Sequence, residues 1–240
     1  MKPLISSLFL LTFTACNADS NTNPNQIASI PEASGISYCD NTNTLIVAND
    51  EGWFYEITTN GEILSTHKLG KYDLEGVVCE EKALTFAVED GALIQVNRKT
   101  SDKKLLKLKG KEFKLTNNNG IEGITKIDDK YYLTIQAKKK KDAKILVVKS
   151  GANYAKVIEV INHKIKDSAG MDYHNKKLYI VSDNKNRLYI YDLKKNKVNK
   201  KIKLPKFAQE GVAFGKHNDV YFADDNGAVM KYTLKELGIK

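Results

Sequence analysis

The chain has 240 residues and a formal net charge of +9, most of which comes from lysine. Nucleic-acid binding ranks last among the functions that this charge suggests, because the basic residues are scattered and the aromatic residues belong to strand-like runs. A solvated lysine surface is the default interpretation. Phospholipid head groups and lipopolysaccharide phosphates are the anions that an exported protein of this charge would meet.

Residues 1–16 have the composition of an export signal. Lys2 precedes an apolar stretch at 4–14 that is too short to span a bilayer comfortably. Small residues lead into Cys16, and this ending resembles a bacterial lipoprotein signal with Cys16 as the lipidated residue. Phe13 stands where such signals usually carry leucine, and an ordinary secretory signal is the alternative.

The segment after Cys16 predicts a membrane-tethered domain. Asn17 stands where an aspartate would argue for inner-membrane retention, so the resemblance favours the outer membrane. Residues 17–25 are rich in Asn, Ser and Thr and predict a flexible tether. Residues 26–240 are long enough for a single domain with a substantial core. We therefore expect a lipid-anchored protein of the cell envelope that faces the periplasm.

A short glycine motif occurs five times in the predicted domain. Its glycines are separated by 41, 47, 47 and 41 residues and are Gly35, Gly76, Gly123, Gly170 and Gly211. Three runs rich in Val, Ile, Tyr and Phe follow each glycine, and polar turns separate them. A further extended segment precedes the next glycine. Four strands at a period of forty-odd residues indicate a β-propeller blade.

The two ends of the domain complement each other. The fifth repeat stops after its third strand, and residues 26–30 stand where a fourth strand would lie before the first motif. Pairing of these ends would hide both edges. We therefore predict an all-β fold, a five-bladed β-propeller of four-stranded antiparallel blades, with the last blade closed by the N-terminal strand. Six blades are the alternative, although longer loops explain the 47-residue repeats better. The only helical turn is expected at 234–237.

Two cysteines remain after Cys16. An oxidising compartment would permit a disulfide between Cys39 and Cys79. Cys39 follows its repeat glycine by four residues and Cys79 by three, so on strands of period two the side chains point to opposite faces. The pattern favours two buried thiols, and a disulfide is the alternative.

Three repeats carry a glutamate directly before the glycine, namely Glu75, Glu122 and Glu210. The pseudo-symmetry of a propeller would bring these side chains to one mouth of the central channel. Three carboxylates would repel one another there unless a cation or protons intervened. Hard oxygen donors without cysteine or clustered histidine point to Ca²⁺, with Mg²⁺ or Mn²⁺ less favoured. The glycines themselves are explained by close packing at the axis.

A second acidic set follows the second strand of four repeats. Its members are Asp50, Asp90, Asp183 and Asp224, which are secondary candidates for metal ligands. For any single one of them, an ordinary role as a turn residue of a hairpin is favoured. In a four-stranded meander this turn lies at the same end as the start of the first strand, so both acidic sets should meet. The third repeat instead carries a lysine run at this turn, namely Lys138, Lys139, Lys140 and Lys141. A solvated hairpin is the default interpretation of this run, and contact with an anionic ligand of the metal is the alternative.

The chain resembles the SdiA-regulated family of exported bacterial β-propellers in two features. One is the lipoprotein-like start, and the other is the ordered series Ser-Gly, Glu-Gly, Glu-Gly, Ala-Gly, Glu-Gly. That family is distantly similar to NHL-repeat proteins. The resemblance implies a five-bladed propeller with a Ca²⁺ site and no established reaction. It also implies relatives that are metal-dependent hydrolases acting at the central mouth. Ala169 departs from the family's serine at that position, and Ser168 or Asp167 are the candidates to replace it.

Two functions follow from these patterns. The first is a lipid-anchored, Ca²⁺-binding module that holds a small-molecule or protein ligand at the channel mouth and is a monomer. The second is a metal-dependent hydrolase of lactones or phosphoesters at the same mouth, which needs a general base beside the metal. The four histidines share no repeat position, and no Ser-His-Asp spacing is visible. Binding is therefore predicted ahead of catalysis.

Overall fold

The structure is a computed structural model that describes residues 23–110, 115 and 119–239. The predicted signal at 1–16, its lipidation site Cys16 and most of the predicted tether at 17–25 lie outside the described residues. The described part contains twenty β-strands and two short 3₁₀ turns, Asp183–Lys185 and Lys216–Asn218. Within these residues, no helix is long and apolar enough to cross a membrane. The helical turn expected at 234–237 is a series of hydrogen-bonded turns.

The strands form five antiparallel meanders of four strands each, numbered here in chain order of their innermost strands. Meander 1 contains β2 (Ala33–Cys39), β3 (Thr44–Asn49), β4 (Trp53–Thr58) and β5 (Ile63–Lys68). Meander 2 contains β6 (Leu74–Cys79), β7 (Ala83–Val88), β8 (Ala92–Asn97) and β9 (Lys103–Lys109). Meander 3 contains β10 (Ile121–Ile127), β11 (Lys130–Ile135), β12 (Lys144–Ser150) and β13 (Ala155–Asn162). Meander 4 contains β14 (Met171–His174), β15 (Lys177–Ser182), β16 (Arg187–Asp192) and β17 (Lys197–Lys203).

Meander 5 draws its strands from both ends of the described chain. It contains β18 (Gln209–Phe214), β19 (Asp219–Asp224), β20 (Ala228–Thr233) and the N-terminal strand β1 (Gln26–Ala28). Gln26 lies opposite Met230 in an antiparallel pairing of β1 with β20. The N-terminal strand therefore occupies the place that the sequence predicts for it.

Hydrogen bonding groups these strands into four sheets, because two meanders are joined at their outer edges. Strands β9 and β13 pair in parallel where Leu108 meets Ala155 and Lys109 meets Lys156. Meanders 2 and 3 thereby become one eight-stranded sheet, and the other three meanders remain separate four-stranded sheets. The all-β architecture is confirmed, and the number of hydrogen-bonded sheets is one fewer than five separate blades would give.

The hydrophobic core lies between successive meanders. Each of the five core clusters joins two neighbours, as where Phe54 of meander 1 packs against Phe86 of meander 2 with ring centroids 5.1 Å apart. One cluster joins meander 5 to meander 1 and contains Ile36, Leu45 and Tyr221. The meanders therefore follow one another around a ring that closes, which is the arrangement of a β-propeller.

Cys39 and Cys79 form a disulfide, so the prediction of two buried thiols is wrong. Their Cα atoms are 5.4 Å apart, and the bond links β2 of meander 1 to β6 of meander 2. Alternation along a strand tells only which face of its own sheet a side chain leaves. Neighbouring propeller blades instead pack face to face, so a bridge between them needs side chains that leave opposite faces of their own sheets. The differing offsets from the repeat glycines are what this geometry requires.

Candidate metal centre

The repeat glycines bring the innermost strands together at the centre of the ring. A Cβ atom built on Gly35 would lie 2.5 Å from the Cα of Gly76, and one on Gly170 would lie 2.6 Å from the Cα of Gly211. A Cβ on Gly211 would lie 3.0 Å from the backbone nitrogen of Ile36, which closes the circle. These approaches involve backbone, so no side chain could be accommodated without moving a strand.

Each glutamate that precedes a repeat glycine lies at a β-bulge. Leu74 and Gly76 pair with adjacent residues of β7, so Glu75 is an extra residue between them. The same shift of register occurs at Glu122 and at Glu210. A bulge redirects the side chain of the extra residue and twists the strand locally. The repeated bulge therefore sets the direction of the three glutamates.

Backbone hydrogen bonds bring the turn after the second strand to the start of the first. The amide of Asp50 donates to the carbonyl of Glu32 at 3.4 Å, and the amide of Glu89 donates to the carbonyl of Asp73 at 3.1 Å. Acidic residues of both predicted sets therefore lie at one end of the ring. We call this end, where Asp50 and Glu89 meet the starts of the innermost strands, the acidic mouth.

Three carboxylates of the acidic mouth are close enough to share a cation. One oxygen each from Asp50, Asp73 and Glu75 lie within 4.8 Å of one another. Glu75 is 8% exposed, whereas Asp73 is open to solvent. The Oδ1 atom of Asp50 is buried and has no hydrogen-bond partner among the described residues. A buried oxygen without a donor, next to two other carboxylates, fits a hard cation such as Ca²⁺.

Asp73 is the member of this cluster that the sequence patterns missed. It lies two residues before Glu75, just outside the start of β6. The position three residues before the repeat glycine carries Glu32, Asp73 and Asp167 in three of the five repeats. That recurrence is a signal in the sequence that identifies Asp73 as part of the acidic mouth.

Burial and mutual repulsion disfavour ionisation of these groups. Burial, followed by the charge of Asp73, raises the pKa of Asp50 to about 7. Burial, followed by the charge of Glu122, raises the pKa of Glu210 to about 9. The same two causes raise the pKa of Glu75. The acidic mouth therefore needs either protons or a cation to balance its charge.

Glu122 and Glu210 lie at the same mouth but outside the three-residue cluster. Burial and then the charge of Glu89 raise the pKa of Glu122. Asp167 contributes to the field at both glutamates and accepts a hydrogen bond from the amide of Asn184 at 2.9 Å. Asp167, in the loop before β14, therefore lies near the mouth, and the charge of Asp183 of meander 4 also acts on Glu210. Ser168, the other proposed replacement, has its hydroxyl 3.4 Å from Nε2 of His163.

The secondary candidates divide between the acidic mouth and ordinary turns. Asp50 belongs to the cluster, whereas Asp90 is exposed in its hairpin. The Oδ1 atom of Asp224 accepts hydrogen bonds from the amides of Ala208 at 3.1 Å and Asn226 at 3.0 Å, which is turn chemistry. Burial raises the pKa of Asp183, to which the charges of Asp167 and Asp224 contribute.

The lysine run of the third repeat is exposed between β11 and β12. Lys140 lines a large groove on the side of meander 4. No described contact joins Lys138, Lys139 or Lys141 to the carboxylate cluster. Contact of the run with an anion therefore stays a prediction.

The opposite end of the ring holds a cavity of about 310 Å³ with a different character. Its partly buried acids already have partners. Glu80 forms an ion pair with Lys126, and Asp172 accepts the amide hydrogen of Phe214 at 2.9 Å. Cys79 of the disulfide also lines this cavity. The unsatisfied carboxylate oxygen lies at the acidic mouth instead.

A sequence profile of the SdiA-regulated family matches residues 17–226. The chain belongs to the SdiA-regulated family. No curated protein matches this SdiA-regulated chain. Among solved structures, the glutaminyl cyclase of Myxococcus xanthus is similar with a TM-score of 0.67 at 10% identity, over 86% of this chain and 91% of that chain. The WD40 β-propeller domain of Doa1 has a TM-score of 0.49 at 10% identity, over 83% of this chain and 78% of that chain. At 10% identity, the likeness to the glutaminyl cyclase concerns the fold alone.

The acidic mouth predicts how the stability of this SdiA-regulated protein depends on pH when metal is removed. A carboxyl group whose pKa is raised by folding stabilises the protein at low pH and loses that contribution as pH rises through the raised value. The loss begins above the ordinary carboxyl pKa values, 3.8 for Asp50 and 4.5 for Glu210, and is complete near pH 7 for Asp50 and near pH 9 for Glu210. In the window between about pH 6.5 and pH 9 it therefore comes mainly from Glu210. Burial lowers the pKa of His163 to about 4, so this histidine remains neutral throughout the window.

We expect the free energy of unfolding in EDTA to fall by roughly 2 kcal/mol or more across that window, since one unit of pKa corresponds to about 1.4 kcal/mol. Urea unfolding at several pH values measures this. Replacing Glu210→Gln should flatten the dependence. A free energy that rises with pH in EDTA would contradict the assignment of buried, uncompensated carboxyl groups.

Proposed function

We propose that this protein is a lipid-anchored, Ca²⁺-binding β-propeller of the cell envelope that serves as a binding module. The observation that carries the proposal is the cluster of Asp50, Asp73 and Glu75 with its unsatisfied buried oxygen. Carboxylate oxygens at this density suit Ca²⁺, which accepts six to eight oxygen ligands in flexible geometry. Mg²⁺ and Mn²⁺ are less favoured, because Mg²⁺ demands a tighter octahedral arrangement.

A count of five blades is part of the proposal. Five core clusters, each between consecutive meanders, support it. The close approach of the five repeat glycines supports it as well. The parallel pairing that merges meanders 2 and 3 covers only two residue pairs at the periphery, so it is better understood as contact between two blades than as one blade.

Export to an oxidising compartment is supported by the disulfide between Cys39 and Cys79, since such bonds persist outside the cytosol. The lipoprotein-like ending at Cys16 supports a membrane anchor for a domain that faces the periplasm. By the same resemblance, Asn17 favours the outer membrane. We propose a monomer whose ligand, a small molecule or a protein, binds at the acidic mouth.

Binding is favoured over catalysis by the surroundings of the histidines. Nδ1 of His163 accepts the amide hydrogen of Ile165 at 3.2 Å, and burial keeps the ring neutral. The ring of His174 stacks on Phe214 with centroids 4.9 Å apart, at the end of β14 that is remote from the repeat glycine. These rings have structural partners, whereas a metal-dependent hydrolase needs a base poised beside its metal.

Thermal unfolding with EDTA or with Ca²⁺ tests the metal proposal. Calcium at a hundredfold excess over its dissociation constant should stabilise the wild-type protein by about 2.7 kcal/mol. The triple variant Asp50→Asn, Asp73→Asn, Glu75→Gln should show no calcium effect. Asp90→Asn, which neutralises an exposed hairpin acid near the same mouth, is the matched control and should respond as the wild type does.

Stability in EDTA separates loss of binding from loss of folding. The triple variant removes repulsion between neighbouring carboxylates, so its metal-free form should be at least as stable as the metal-free wild type. Equal calcium responses of wild type and triple variant would refute the site. Turnover of lactones or phosphodiesters that needs calcium would instead favour the hydrolase.

A further inference from the structure

A basic groove lies on the side of the ring between meanders 3 and 4. Its volume is about 1020 Å³. Residues of the loop between β13 and β14 form one wall, and residues of β16 and β17 form the other. Eight lysine or arginine side chains line the groove, and none of its described lining residues is acidic. This basic groove is separate from the carboxylate cluster, with which it shares no residue.

None of the basic side chains that line the groove forms an ion pair with an acidic side chain of the described residues. The four ion pairs among residues 23–110, 115 and 119–239 use Arg98, Lys126, Lys149 and Lys231, none of which lines the groove. Lys200 donates to the carbonyl oxygen of Gly238, a neutral acceptor, at 2.8 Å. Like charges held together raise the free energy of the empty groove, and a bound anion would lower it.

The shape of the basic groove favours an extended anion over a single small ion. Lys140 and Lys166 come from meander 3 and the loop after it, whereas Lys185, Lys197 and Lys201 come from meander 4. Tyr189, Val198 and Ile165 add apolar surface between the charges. A ligand that neutralises cations on both walls must carry several negative groups along its length.

We propose that the basic groove binds a ligand that carries two or more phosphate groups. Each phosphate monoester carries a charge of about −1.5 to −2 at neutral pH and three acceptor oxygens, so a few of them match many cations in little space. Lysine binds phosphate as a point charge, and the planar guanidinium of Arg187 can bind two phosphate oxygens at once. A soluble polyphosphate and the phosphorylated head groups of a lipid surface share this chemistry.

Calorimetric titration with sodium tripolyphosphate tests the proposal on the purified protein. The groove variant carries four exposed lysines changed to glutamine: Lys166→Gln, Lys185→Gln, Lys197→Gln and Lys201→Gln. The matched control removes the same charge from exposed lysines of meander 2: Lys82→Gln, Lys99→Gln, Lys104→Gln and Lys107→Gln. We expect the groove variant to bind at least about tenfold more weakly, since each lost surface contact weakens binding a few-fold. The control should stay within about twofold of the wild type.

Salt and vesicles identify the source of the phosphate. Wild-type affinity should fall as ionic strength rises, because exposed charges are screened. Groove-dependent binding to vesicles of phosphatidylcholine with phosphatidic acid, whose head group is a phosphate monoester, but not to phosphatidylcholine alone, would indicate a lipid surface. Binding of tripolyphosphate without vesicle binding would indicate a soluble ligand.

Two results would overturn the proposal. One is equal weakening in the groove and control variants, which would show that only net charge matters. The other is the absence of wild-type binding to both tripolyphosphate and anionic vesicles. Thermal unfolding midpoints of the two variants close to that of the wild type establish that neither set of substitutions acts through folding.

Discussion

Replacing Cys39 and Cys79 with serine should lower the free energy of unfolding by about 4 kcal/mol. The disulfide closes a loop with a sequence separation of 40 residues, and loss of such a bond frees the unfolded chain by roughly this amount in the chain-entropy description. Cys39 is fully buried within the cluster between meanders 1 and 2, so the serine hydroxyl adds a cost of its own. Urea unfolding of wild type and double variant measures the difference.

Reduction provides the control for this prediction. A reducing agent should destabilise the wild type by a comparable amount and leave the double variant unchanged. The bond also joins the first two meanders near the cavity opposite the acidic mouth, so calcium binding should survive its removal. A double variant within about 1 kcal/mol of the wild type would show that packing alone holds these meanders together.

Gly170→Ala should destabilise the protein by about 3 kcal/mol or more. The added Cβ would lie 2.6 Å from the Cα of Gly211 and closer still to the carbonyl oxygen of Glu210. Both are backbone atoms of the neighbouring innermost strand. Overpacking of a filled interior costs about 1 to 3 kcal/mol, and the upper end applies where no flexible side chain can move aside. Chemical unfolding measures the loss.

Gly151→Ala is the matched control for this substitution. Gly151 is exposed, and its added Cβ would meet only the carbonyl oxygen of Tyr154, at 3.0 Å. Because Gly151 lies in an exposed loop that can shift by a few tenths of an ångström, we expect a change below about 1 kcal/mol there. A similar loss at both positions would contradict the view that the repeat glycines are needed for close approach at the centre of the ring.

The strands of this protein could be predicted closely because one pattern is repeated five times. Meander 1 illustrates this, since Thr44–Asn49 and Trp53–Thr58 are two of the apolar runs that follow Gly35. Runs rich in Val, Ile, Tyr and Phe indicate the strands, and Asn, Asp and Gly indicate the turns between them. The parallel pairing of β9 with β13 could not be predicted, because it joins outer edges that carry no shared pattern.

The acidic mouth could be predicted as a region but not as a set of ligands. Repeat position placed Glu75 and Asp50 at one end, because symmetry carries equivalent positions to equivalent places. It could not show that Asp73 completes the closest cluster, since proximity there depends on how the bulge at Glu75 turns the chain. By repeat position, Asp224 was as good a candidate for a metal ligand as Asp50, although Asp224 accepts hydrogen bonds from the amides of its own turn.

The cysteine pair shows where reasoning within one sheet fails. Side-chain parity along a strand describes faces of that strand's own sheet. The disulfide of Cys39 with Cys79 joins two sheets that face each other, so parity within each sheet says little until their packing is known. Predicting the bridge would have required the order of the blades around the ring.

Anomalous diffraction from crystals grown with calcium shows directly whether the acidic mouth holds the ion. We expect one strong peak enclosed by the carboxylates of Asp50, Asp73 and Glu75, with oxygens at about 2.3 to 2.6 Å from it. The peak should vanish in the triple variant. Calcium bound elsewhere, or no calcium at the acidic mouth at concentrations that stabilise the protein, would contradict this expectation.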